Sequence, residues 1–169
     1  MLIVRKAEIA DAALLSEMGY ASYRHHFAPL WREPAELEAF LRQEYSPAVI
    51  EQSLQSEAGG WFIAQNAAPV GFAKVSWHSE VDEHGPAGTL LHKLYLLPGE
   101  TRKGYGEQLL AEIERLAQQR GERFIWLEVL DANPNAQRFY LRQGFTHLKD
   151  TTFSTASQQS TLHILGKSL

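Results

Sequence analysis

Residues 91–106 decide the fold, and they read LHKLYLLPGETRKGYG. The first part belongs to an apolar strand pattern, Thr89 to Leu97, which stops at the turn signal Pro98-Gly99. The second part is a basic turn with glycines at positions 104 and 106. A helix pattern begins at Gly106 and ends before Gly121, with these apolar residues on one face: Leu109, Leu110, Ile113, Leu116 and Ala117. The stretch therefore predicts a strand, a turn and a helix in direct succession.

This order places free backbone N–H groups and the positive end of a helix dipole at one point. Gly104 and Gly106 permit close backbone approach, and Arg102 and Lys103 add positive charge. The combination favours an anion such as a pyrophosphate. A second interpretation stays open here, because glycines before a helix also serve tight turns, and basic residues at a helix start are also found as solvated surface.

Two nucleotide-binding motifs are excluded by residue type. A P-loop needs Gly-Lys followed by Ser or Thr, whereas Lys103 precedes Gly104 and Tyr105 follows it. The dinucleotide fingerprint needs three glycines, and Glu107 and Gln108 supply none. The anion site therefore belongs to another class.

A second pattern lies downstream, at Asn133-x-x-Ala136-x-x-Phe139-Tyr140-x-x-x-Gly144-Phe145. An apolar run at Phe124 to Leu130, interrupted only by Glu128, lies between the two patterns. Such a run is typical of a strand that is covered on both faces.

The two patterns together resemble those of the GNAT superfamily of N-acetyltransferases. Leu96-Leu97-Pro98 and residues 101–106 resemble its motif A, Arg/Gln-x-x-Gly-x-Gly/Ala after a strand ending in an apolar-x-Pro step. The downstream pattern is similar to the family's Asn-x-x-Ala-x-x-x-Tyr-x-x-x-Gly-Phe segment. Thr101 departs from motif A, since it stands where the family usually has Arg or Gln.

The resemblance implies an α+β (α/β) fold of the GNAT type. Its mixed, mostly antiparallel central sheet would have about six to seven strands, flanked by about four to five helices. Two neighbouring parallel strands, Thr89 to Leu97 and Phe124 to Leu130, are expected to splay apart. Periodicity and turn signals predict the remaining elements. These are a strand at Leu2–Arg5, a helix capped by Asp11, two helices between Pro34 and Glu57 separated at Ser46-Pro47, a hairpin at 61–75, an exposed acidic loop at 80–86, a helix from Asn133 to Gly144, and strands at Phe145–Leu148 and Thr161–Lys167.

Composition limits the class of protein. The chain has 169 residues, 44% of them hydrophobic and 11% aromatic, and a formal net charge of −4. One ordinary core fits this length, so we expect a single domain over residues 1–169. The mild acidity disfavours a nucleic-acid partner. The absence of cysteine excludes disulfides, thiolate zinc sites and cysteine nucleophiles, and no metal site is predicted. Lacking a long apolar run or a leader pattern, the chain is expected to have no membrane partner and a cytoplasmic location.

Acetyl-coenzyme A (acetyl-CoA) is the cofactor that the resemblance implies. The backbone of Leu94, Tyr95 and Leu96 would pair with its pantetheine arm and acetyl group, and Asn133 would contact the pantetheine. The remaining phosphate would meet Arg138 or Arg142. The pyrophosphate would be bound by the turn, which comprises Thr101, Arg102, Lys103, Gly104, Tyr105 and Gly106.

Acetyl transfer to an amine needs a base and an acid. A lysine-like ammonium has a pKa near 10.4, so the neutral, reactive form costs roughly 4 kcal/mol at neutral pH. His92 is the first candidate base, since related enzymes often carry a glutamate there, and Glu128 is the second. A solvated strand histidine and a solvent-facing Glu128 remain the alternatives. The resemblance gives Tyr140 the role of protonating the departing thiolate.

The acceptor amine is expected to meet two regions of the chain. The first helices offer Tyr23, His26 and Trp31, and the acidic loop offers Glu80, Asp82 and Glu83. Aromatic faces and carboxylates suit a cation, although both are also common as core and solvated surface. The overall pattern is most similar to bacterial polyamine (spermidine/spermine) N-acetyltransferases, which favours a small-molecule amine.

The sequence is also compatible with two other functions. A protein N-terminal or lysine acetyltransferase would use the same chemistry on a protein amine. A non-catalytic acyl-CoA-binding sensor would use the same fold without the reaction, and Tyr140 argues against it. A homodimer is the default expectation for assembly, because exposed strand edges of this architecture often pair between chains.

Overall fold

The computed structural model describes residues 1–82 and 85–169. Its strands are β1 Ile3–Lys6, β2 Gly59–Asn66, β3 Ala68–Glu80, β4 Ala87–Leu96, β5 Phe124–Leu130, β6 Thr146–Ser154 and β7 Gln159–Ser168. Its α-helices are α1 Ala12–Phe27, α2 Pro34–Tyr45, α3 Pro47–Leu54, α4 Tyr105–Gln119 and α5 Pro134–Arg142. Short 3-10 turns lie at Ile9–Asp11 and Ala28–Leu30.

The strands form a seven-stranded sheet in the order β1-β2-β3-β4-β5-β7-β6. The pairs β1–β2, β5–β7 and β6–β7 are antiparallel, whereas β4 and β5 are parallel, with Thr89 opposite Ile125 and Leu90 opposite Trp126. Gly88 precedes Thr89 in β4, and a Cβ at this position would lie only 2.2 Å from the carbonyl oxygen of Phe124 on β5. The close approach of the two strands therefore requires a glycine here. The prediction of a mixed, mostly antiparallel sheet with a parallel pair is confirmed.

The chain divides into two compact units. The first unit comprises Met1–Val75 and Lys93–Glu112, and the second comprises Ser76–His92 and Ile113–Leu169. Each unit has its own buried apolar side chains. Those of the first include Leu15, Leu41, Ile50, Trp61 and Phe72, and those of the second include Ile113, Ile125, Leu127, Phe145 and Ile164.

The break between α2 and α3 follows from Pro47. The residue before a proline is driven out of the helical region, and Ser46 has φ −61° and ψ 147°. Proline is well placed at the first position of a helix, because its missing N–H would have no partner there. The predicted division of this region into two helices is confirmed.

The prediction that the Asp11 side chain caps the first helix is wrong. It makes no capping hydrogen bond to α1. Its carboxylate accepts two hydrogen bonds of 2.8 Å from the Arg5 guanidinium and one of 2.8 Å from the backbone N–H of Glu8. The intervening 3-10 turn, Ile9–Asp11, points the carboxylate back towards β1 instead. These bonds lower the pKa of Asp11 to about 2.

We expect Asp11→Asn to destabilise the protein by about 1 kcal/mol at pH 7, because the bidentate, charge-assisted contact is lost. A carboxyl whose pKa is lowered by folding stabilises above its unfolded pKa and loses that effect as pH falls through the folded value. The difference from wild type should therefore shrink by about half near pH 3. Urea denaturation from pH 7 to pH 3 measures it. Glu17→Gln, an exposed carboxylate on α1, is the control, and an equal pH response in both variants would contradict the assignment.

Lys93 is a buried cation in the first unit, with 7% of its surface exposed. Its Nζ lies 2.7 Å from Oε1 of Glu44 and 5.0 Å from the centre of the Tyr45 ring. Removing one partner of a buried ion pair leaves the other charge without compensation. The pair therefore makes β4 and α2 dependent on each other.

We expect Glu44→Gln to lower the free energy of unfolding by about 2 kcal/mol, because Lys93 keeps its buried charge. The double variant Glu44→Gln with Lys93→Met should recover most of this loss. Glu38→Gln is the matched control, since Glu38 lies on the same helix and pairs with Arg24 at an exposed site. Chemical denaturation of the four proteins gives the comparison, and equal losses for Glu38→Gln and Glu44→Gln would refute it.

In the second unit, α4 and α5 end just before the glycines that the sequence predicts as helix ends. Gly121 follows α4 with φ 84°, and Glu122 donates its N–H back to the carbonyl of Ala117. Gly144 follows α5 with φ 97°, and Phe145 donates back to Tyr140. Both predicted helix ends are confirmed.

The two C-terminal strands are longer than predicted, and a bulge interrupts β6 between His147 and Lys149.

We also searched the helices for membrane spans. None of the helices in the described part of the chain is long and apolar enough to cross a membrane.

Candidate functional site

The first unit carries the basic turn at residues 101–104, and all four residues are exposed. Arg102 and Gly104 have left-handed backbones, with φ 65° and φ 80°. A left-handed backbone is strained for arginine but not for glycine. The turn leads directly into α4, whose first intrahelical bond runs from Gln108 N–H to the Gly104 carbonyl. The N–H groups of the first helical turn are therefore left for another acceptor.

The shape and charge of this turn fit a phosphate group. A Cβ built on Gly104 would find only Gln108 Nε2 within 4 Å, at 3.8 Å, so the space over the turn is open. Lys103 pairs with Glu100 at 3.2 Å, and half of its side chain is exposed. Arg102 forms no ion pair with any residue in 1–82 and 85–169, so its charge is available to an incoming anion.

The end of β4 lies beside the first helix within the same unit. His26 Nε2 is 3.2 Å from the carbonyl oxygen of Leu96, and Leu97 donates its N–H to Val70. The predicted substrate residue His26 therefore contacts a predicted cofactor residue directly. A carbonyl oxygen has two lone pairs, so Leu96 can still accept a second bond.

Tyr23 belongs to the core of the first unit. It is 8% exposed, and its ring centre lies 4.7 Å from that of Phe27 and 5.0 Å from that of Phe40. Its hydroxyl accepts a 3.3 Å bond from Trp31 Nε1, and burial raises its pKa to about 12. Tyr23 thus orients Trp31, which is half-buried, and offers little surface of its own.

Tyr140 is the main functional candidate of the second unit. It lies on α5, half-buried, with its ring 5.1 Å from that of Phe139 and 5.5 Å from that of Phe145. Desolvation alone raises the pKa of its phenol, and no residue of the described ranges makes a hydrogen bond to its hydroxyl. This phenol is therefore neutral and available as a proton donor.

The two candidate bases of the second unit differ in their surroundings. Glu128 is an exposed carboxylate in the otherwise apolar strand β5, desolvation raises its pKa, and the described part of the chain supplies it with no ion pair or hydrogen bond. His92, on β4, is exposed and lies with Nε2 2.6 Å from Ser76 Oγ. General bases are often carboxylates that have a raised pKa and no ion-pair partner, and Glu128 fits this description better than His92 does.

Asn133 and Arg138 are both engaged locally. Asn133 caps α5, accepting a 3.3 Å bond from the Ala136 N–H. Arg138 is exposed and donates to Asn135 on its own helix. Each keeps polar atoms for another contact, Asn133 through its NH2 group and Arg138 through the rest of its guanidinium.

The described carboxylates of the predicted acidic loop differ in their pairing. Asp82 is paired with Lys149, so its charge is already balanced. Glu80 ends β3 and is exposed, and Glu83 lies outside the described residues. Of the two carboxylates that the structure describes, Glu80 is therefore the better placed to meet a cation.

One cluster of polar side chains in the second unit is not predictable from the sequence. The side chains of His147, Asp150 and His163 approach within hydrogen-bond distance, and Asp131 joins them. No spacing rule for metal or catalytic sites covers these positions, because the bulge in β6 and the pairing with β7 bring them together.

Comparison with known families places this arrangement. Residues 20–145, three quarters of the chain, match the Acetyltransferase (GNAT) family. The chain belongs to the GNAT acetyltransferase family. GNAT members are acetyl-CoA-dependent N-acetyltransferases, and the match includes the basic turn, Glu128 and Tyr140. The family resemblance drawn from residues 96–106 and 133–145 is confirmed.

Individual GNAT relatives agree with this assignment. A spermidine N(1)-acetyltransferase of Thermoplasma acidophilum is 26% identical over 147 residues, which cover 84% of this chain and 86% of the relative. An uncharacterized N-acetyltransferase from the pepI 3′ region of Lactobacillus delbrueckii subsp. lactis is 26% identical over 110 residues, and the match covers 64% of each chain. The chain thus spans just under two thirds of the second relative.

A solved GNAT structure supports the fold. The crystal structure of PaiA N-acetyltransferase from Thermoplasma acidophilum, in complex with coenzyme A, has a TM-score of 0.81 at 23% identity. The similarity covers 100% of this chain and 99% of that one.

Proposed function

We propose that this GNAT protein transfers the acetyl group of acetyl-CoA to a primary amine of a small polycation, with the whole chain acting as a single domain. The observation that carries the proposal is the Tyr140 hydroxyl on α5, to which no described residue makes a hydrogen bond. Such a phenol is neutral at physiological pH and can give its proton to a departing thiolate.

The residues that would hold acetyl-CoA come from the basic turn, from β4 and from α5. The N–H groups of the first turn of α4, together with Arg102, would take the pyrophosphate, because the space over Gly104 is open and Arg102 is exposed. The backbone of Leu94 to Leu96, the Asn133 amide and Arg138 would take the rest. Acetyl-CoA supplies a thioester carbonyl, and the thiolate leaves as the C–S bond breaks and the C–N bond forms.

Glu128 is proposed as the general base, with His92 as the alternative. The amine must lose a proton before it attacks, and a carboxylate with a raised pKa binds that proton more strongly than an ordinary one. His92 already lies 2.6 Å from Ser76 Oγ, so it would have to release that contact or act through it. Tyr140 then gives its proton to the thiolate. The nitrogen loses its second proton as the amide forms, which restores the tyrosine, and Glu128 releases the first proton to solvent, so the protons balance.

A polyamine is the proposed acceptor class. The Thermoplasma acidophilum relative of 26% identity is a spermidine N(1)-acetyltransferase. Half-buried Trp31 and exposed Glu80 offer an aromatic face and a carboxylate, the groups that bind alkylammonium ions. A protein amine, at an N-terminus or a lysine, is the second candidate, because the same acid and base would serve it.

Thiol release from acetyl-CoA across a panel of amines tests the function. Spermidine and spermine should raise turnover well above that with a peptide amine or with no amine. Calorimetry with coenzyme A should give one site per chain. If the cofactor binds but no amine in the panel raises turnover, the protein is a sensor, and if coenzyme A gives no heat the proposal fails entirely.

A further inference from the structure

We infer that the second unit carries a divalent metal site for Zn²⁺, formed by His147, Asp150 and His163 and oriented by Asp131. His147 Nε2 and His163 Nδ1 each lie 2.6 Å from the same oxygen of Asp150, Oδ1. The three ligand atoms lie within 4.8 Å of one another. Two imidazoles and one carboxylate, with a fourth position open, form a ligand set that zinc favours.

The bulge in β6 builds the cluster. Residues three apart on a regular strand point to opposite faces of the sheet. His147 pairs with Leu165 and Lys149 pairs with Ile164, so one extra residue is inserted between them. Asp150 therefore comes to the same face as His147, directly opposite His163 on β7. Bulges often re-aim side chains next to functional sites, and here one brings three ligands together.

Asp131 supplies the outer contact that a metal-bound histidine usually has. His163 Nε2 lies 2.7 Å from Asp131 Oδ1, while Nδ1 faces Asp150. A ligating imidazole almost always gives its second N–H to a carboxylate or carbonyl, which fixes the ring and its tautomer. Gln137 holds the segment that carries this carboxylate, because its Nε2 donates to the carbonyls of Leu130 and Asp131.

The site has room for an ion and for a fourth ligand. Tetrahedral coordination at about 2.0 Å separates ligand atoms by about 3.3 Å, so each histidine nitrogen must move about 0.7 Å away from Asp150. His147 and Asp150 are each 52% exposed and can make this shift. A surface depression adjoins the two histidines and is lined also by Gln137, Leu141 and Leu165, which leaves space for a water molecule on the ion.

The nitrogen ligands select the metal. Mg²⁺ and Ca²⁺ prefer sites made of oxygen, whereas imidazole suits Zn²⁺. The competing interpretation is a metal-free network of ion pairs, in which His163 is shared between two carboxylates that raise its pKa. The two interpretations differ in what the cluster does with an added ion.

Zinc binding to the full-length protein, after treatment with a chelator and dialysis, tests the inference. Competition with a chromophoric chelator should show one Zn²⁺ per chain with a Kd of about 1 µM or below, and Mg²⁺ should not compete. Zinc should also raise the Tm, because it binds only the folded chain. Co²⁺ in its place should give the visible absorption of a tetrahedral ion. These readouts do not depend on acetyl transfer.

Three variants locate the ion. His147→Gln, at an exposed position, should fold normally and weaken zinc binding at least tenfold. Asp131→Asn should weaken it about 10- to 100-fold, as expected of an outer carboxylate. His78→Gln is the control, since His78 is an exposed histidine 3.5 Å from a carboxylate of Glu122, and should leave the affinity unchanged. The proposal is overturned if the wild type does not bind zinc, or if His147→Gln binds it as tightly as the wild type. In either case the cluster is a metal-free network of ion pairs.

Discussion

Replacing Tyr140 by phenylalanine is expected to lower kcat by about 10- to 1000-fold while leaving the affinity for coenzyme A nearly unchanged. The change removes one oxygen atom from a ring that packs against Phe139 and Phe145, so the packing should remain. No residue of the described ranges hydrogen-bonds the hydroxyl, so no structural contact is lost with it. A loss in kcat would then report the missing proton donor.

Steady-state kinetics with spermidine, together with calorimetry of coenzyme A binding, separates the two quantities. Tyr45→Phe is the matched control, because it also removes a buried phenol whose pKa is raised by desolvation, but from α2 in the first unit. Turnover of Tyr140→Phe equal to that of wild type would remove Tyr140 from the reaction. A parallel loss of coenzyme A binding would instead indicate a structural role for the hydroxyl.

Glu128→Gln is expected to lower kcat/KM by about 100-fold or more near neutral pH, because the amine would lose its proton acceptor. The amide keeps the size of the side chain. It also removes the need to desolvate a charge, so stability should be unchanged or slightly higher. His92→Gln, made in parallel, should change kcat/KM by much less.

The pH dependence distinguishes the two candidate bases. A base must be deprotonated in the free enzyme, so activity rises with pH through its pKa. Desolvation raises the pKa of Glu128 above its usual value, which moves this acid limb upward from that of an ordinary carboxylate. Glu128→Gln should abolish the limb and His92→Gln should leave it in place. The opposite result would assign the base to His92.

Local signals were enough for most of the fold. The strand, turn and helix at residues 89–119 were predictable because alternation, glycine placement and 3.6-residue periodicity all act over a few neighbouring residues. The split at Ser46-Pro47 and the ends of α4 and α5 follow from the same short-range constraints. Asp11 was misassigned because its carboxylate had a competing partner, Arg5, on a neighbouring strand.

The candidate site was predictable in its residues but less so in their surroundings. Tyr140 and the basic turn stand within ordered motifs, whose spacing can be read along the chain. Whether a carboxylate is already paired depends on distant residues. The sequence did not reveal that Lys149 neutralises Asp82, or that no residue in 1–82 and 85–169 pairs with Glu128. Burial likewise placed Tyr23 in the core and left Trp31 half-exposed.

The sequence by itself determined the family and the order of the elements, and it predicts which residues would bind an anion or transfer a proton, because these depend on near neighbours in the chain. Only the tertiary structure decided which of those groups are unpaired, and it alone assembled His147, Asp150 and His163 on one face of the sheet. The physical reason is that pairing and desolvation act through space, between residues that one inserted strand position can bring together or separate.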